Sequence, residues 1–74
     1  MELSRDNLDI LFNNHKLDKL SKNEISQALI ICESAIEGIK GHMNYYGVTN
    51  DRQYTFNYYT LMHEQLIEYR KYAN

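Results

Sequence analysis

The chain has 74 residues, a formal charge of −2 at neutral pH and one cysteine. That length allows a single domain with a limited core. Cys32, being alone, excludes a disulfide within the chain, and the interspersed charges leave no basic footprint for nucleic acid.

Proline is absent and there are three glycines, so little interrupts long helices. The start of the chain carries Glu2, Arg5 and Asp6 and no apolar run, so no leader peptide is expected. The longest unbroken apolar stretch, Ala28 to Cys32, is far too short for a bilayer, and no membrane association is expected. Cys32 lies near Ile31, Ala35 and Ile36, which fits a small buried hydrophobe in a reducing, cytoplasmic setting. Eight asparagines and seven tyrosines fit AT-rich coding, as in a phage or plasmid of a low-GC bacterium.

In chain order, Ser4 can cap a short helix over about residues 5–13, with Leu8, Leu11 and Phe12 on one face. Asn13, Asn14 and His15 end it, and Leu17 with Leu20 then lies over the start of the next element. That element opens on Ser21 and Glu24, the spacing of a capping box, with Leu20 and Ile25 as its hydrophobic staple. Ile25, Leu29, Cys32, Ile36, Ile39, Met43 and Tyr46 recur at alternating spacings of four and three. They predict one apolar stripe on a helix over about residues 22–46. Gly47 stands where a left-handed cap belongs, and Gly38 and Gly41 inside the helix could admit a second helix closely.

A four-residue turn, Gly47 to Asn50, forces the following helix back antiparallel. Thr49 or Asn50 caps it, with Gln53 completing a second capping box in the latter case, and it runs over about residues 51–72. Its main stripe is read as Tyr54, Tyr58, Leu61, Met62, Tyr69 and Tyr72. A second line, Phe56, Tyr59, His63 and Ile67, is rotated away from the first and exceeds what one partner helix needs. Ile30 points away from the stripe of the preceding helix. The architecture expected is therefore all-α: a short N-terminal helix on a long antiparallel hairpin, assembling into a helical-bundle oligomer. Ile30, Phe56, Tyr59, His63 and Ile67 are the candidate interface.

Chemistry-bearing patterns are sparse. His15, His42 and His63 share no ligand spacing, and no carboxylate or thiol completes a metal set with them. Antiparallel pairing about Val48 places His63 near Cys32 and Glu33. Glu33 with Glu37, and Glu64 with Glu68, read as solvated faces. No phosphate loop or nucleophile motif is present, so neither an enzyme nor a bound cofactor is expected. The function expected is a small interaction protein that self-associates and binds or inhibits a partner protein. The alternative is an oligomer that binds a nucleotide-type small ligand between protomers through Tyr45, Arg52, Tyr59 and His63.

Overall fold

A computed structural model describes residues 3–73; residues 1, 2 and 74, part of the single domain expected over 1–74, lie outside the described residues. Three α-helices follow one another: α1 (Arg5–Asn13), α2 (Lys22–Tyr46) and α3 (Asn50–Tyr72). One 3₁₀ turn, Leu17–Lys19, lies between α1 and α2. The last two helices form the antiparallel hairpin, and the first folds across its open end.

The helix ends follow from local chemistry. The Ser4 hydroxyl accepts from the backbone N–H of Asn7 at 3.2 Å and starts α1. At the far end His15 N–H donates to Phe12 at 3.1 Å, and Lys16 N–H to Leu11 at 2.8 Å. This crossed closure is a Schellman motif, and it puts His15 at φ 56°, a position glycine usually holds. The predicted capping box opens α2: Glu24 N–H donates to Ser21 Oγ at 3.2 Å, and Ser21 N–H donates to Glu24 Oε1 at 2.9 Å. The bond from the Ser21 backbone holds the Glu24 carboxyl below its ordinary range.

The conformation of Gly47 differs from expectation, and the choice between the two candidate caps of α3 is decided. Gly47 has φ 92° but ψ 169°, so it is not a left-handed helical cap. It occupies a region essentially reserved for glycine. Thr49, not Asn50, caps α3 by accepting from Arg52 N–H at 3.2 Å. No second capping box forms there; the Gln53 side chain turns instead to Asn57, its Nε2 donating to Oδ1 at 2.9 Å. Gly38 and Gly41 admit no neighbour closely, because a methyl group at either would meet open space.

The core gathers Leu3 and Leu8, then Leu17 and Leu20, then Ile25, Ala28, Leu29 and Cys32 of α2, and Tyr59, Met62 and Leu66 of α3. All of it lies at the end of the hairpin that α1 covers. Among the described residues, none from Glu33 to Tyr58 is fully buried, so the turn-side half projects as a two-helix arm from a body 41 × 21 × 19 Å overall.

The rotation of α3 corrects the sequence reading. Leu61 is 50% exposed, Tyr54 70% and Tyr72 76%, whereas Tyr59 is 4% exposed and Met62 and Leu66 are sealed. Of the expected main stripe, Met62 is central and Tyr58 and Tyr69 pack on the core's edge, but Tyr54, Leu61 and Tyr72 face outward. The cause is that α3 carries two stripes of similar apolarity. Tyr59, Met62 and Leu66, at spacings of three and four, include two side chains with no hydrogen-bonding group that gains from water. Tyrosine hydroxyls stay solvated at little cost, so the tyrosine-rich stripe is the one that turns out.

Candidate functional site: the outward face of the third helix

Where α1 ends against α3, the chain forms a shallow groove of about 350 Å³ lined by Phe12, Asn13, Tyr54, Asn57, Tyr58 and Leu61. Helical spacing explains its floor, since positions 54, 58 and 61 lie one above another on a single face. Phe12 reaches across from α1 and meets the Tyr58 ring edge-on, centroids 5.1 Å apart at 85°. Tyr54 stacks more loosely on Tyr58 at 6.4 Å and 26°. From Gln53 to Met62 α3 bears no side chain of formal charge, so the groove floor is neutral.

A polar knot beneath the groove fixes its walls. Arg5 Nε donates to Tyr59 Oη at 2.8 Å, and that hydroxyl faces Asp9 Oδ1 at 3.3 Å. Tyr58 Oη donates to the same Asp9 oxygen at 3.4 Å and accepts from Asn13 Nδ2, also at 3.4 Å. Burial, reinforced by the Asp9 charge, pushes both tyrosine hydroxyls above their ordinary ionisation range. For Tyr59 the Arg5 guanidinium opposes that rise. These contacts clip α1 to α3 and set the width of the groove.

The candidate interface residues divide. Ile30 is 64% exposed on α2. Phe56, His63 and Ile67 are half-buried, with Ile67 packed against the core and His63 Nε2 lying 3.8 Å from Glu33 Oε1, the neighbour the hairpin pairing predicts. Tyr59 is no part of a free line: α1 covers it, and its hydroxyl is held by Arg5 and Asp9. The expectation of an open Phe56–Tyr59–His63–Ile67 line is therefore corrected. The open line is Tyr54 with Leu61, one side of the helix away.

The candidate ligand residues do not share one pocket within the protomer. Tyr45 is exposed at the turn end of the arm, its ring centroid 4.7 Å from that of Tyr46. Arg52 Nη1 donates to the carbonyls of Tyr46 at 3.4 Å and Gly47 at 3.0 Å, closing the last turn of α2 from across the loop. Tyr59 belongs to α1's contact and His63 to Glu33 on α2. The groove residues Phe12, Asn13 and Asn57 escaped the sequence reading. Their signal, a neutral stretch of α3 beside the end of α1, has meaning only once the rotation of α3 is known.

Among the described residues, no three of His, Cys, Asp and Glu gather where they could hold a metal ion. No helix among them is long and apolar enough to cross a membrane. Cys32 is fully buried, and burial, with Asp9 and Glu33 nearby, pushes its thiol up to about 12. Compared with protein-family models, with curated proteins and with solved structures, the chain matches none.

Proposed function

We propose that this chain is a small non-catalytic interaction protein, which self-associates and engages a partner protein through the outward face of α3. One observation carries the reading. Tyr54 and Leu61 stay 70% and 50% exposed beside an aromatic groove, although the chain has a core that could have received them. Contiguous apolar surface of this kind, rich in tyrosine and poor in charge, is the composition of interface centres. A ligand site made of Tyr45, Arg52, Tyr59 and His63 has less support, because Tyr59 is sealed and Arg52 is committed to the turn.

The test is the behaviour of a Tyr54→Ser, Leu61→Ser double variant in clarified extracts of cells that express the chain. Wild type should elute in complexes well above 8.8 kDa. The variant should elute as a free chain with unchanged helical circular dichroism. Identical elution of both as a free chain would overturn the reading.

A further inference from the structure

We draw no further inference here: the strongest candidate, the aromatic groove between the end of α1 and the outward face of α3, belongs to the site already described, and nothing in the structure shows what covers it.

Discussion

Single residues decide how sharply this chain turns and how it responds to alkali. Gly47 holds a backbone conformation that only glycine adopts readily, and a methyl group there would meet no neighbour. The cost of Gly47→Ala is therefore conformational alone, about 1–3 kcal/mol, and should appear in denaturant melts against wild type. A loss below about 0.5 kcal/mol would mean that the turn can relax. Cys32 gives the pH response. In the unfolded chain its thiol ionises near the ordinary 9.0, in the fold only near 12. The folded value is raised, so the stability it contributes is complete below pH 9.0 and is lost as pH climbs toward 12. Tyr58 and Tyr59, also raised by burial, add to the loss above 10.0. Melting temperature should fall steadily from about pH 9 upward, and Cys32→Ala should flatten the first part of that fall. A variant that falls as steeply as wild type would contradict the assignment.

At the scale of elements, the helices were legible because each start has a chemical signature. Ser4, Ser21 and Thr49 all accept from the backbone N–H three residues on, as their positions before the periodic runs imply. The stripe of α2 was legible too over its first half, where Ile25, Leu29 and Cys32 are buried as their spacing implies, although its last member, Tyr46, is exposed. The rotation of α3 was not. Its polar residues are mostly uncharged, its aromatics circle the helix, and spacing alone could not rank Tyr54–Leu61 against Tyr59–Met62–Leu66. What ranks them is the third body: Arg5 and Asp9 on α1 supply partners for the Tyr59 hydroxyl, so that tyrosine can be buried. The consequence is measurable. Leu66→Ala removes a sealed core side chain and should cost about 2–5 kcal/mol, whereas Leu61→Ala at half-exposure should cost less than about 1.5 kcal/mol in dilute solution. Equal costs would return α3 to the rotation its tyrosine spacing suggests.

At the scale of the whole molecule, an arm of partly covered apolar residues projects from a core confined to one end. Ile36 and Phe56 are half-buried along it, and Tyr45, Tyr46 and Val48 are exposed at its turn. The candidate groove sits where that arm leaves the covered body, because α1 ends there and its Phe12 becomes one wall. A chain of this size buries a limited core. The face of α3 that carries Leu61 lies outside the core, and the proposed function assigns it to pairing. Sedimentation velocity of wild type beside Leu61→Glu tests this most directly, since it reads mass and compactness together. Wild type should sediment well above 8.8 kDa when concentrated, and Leu61→Glu as a compact 8.8 kDa monomer. A variant that sediments like wild type, or as an expanded chain, would contradict the account.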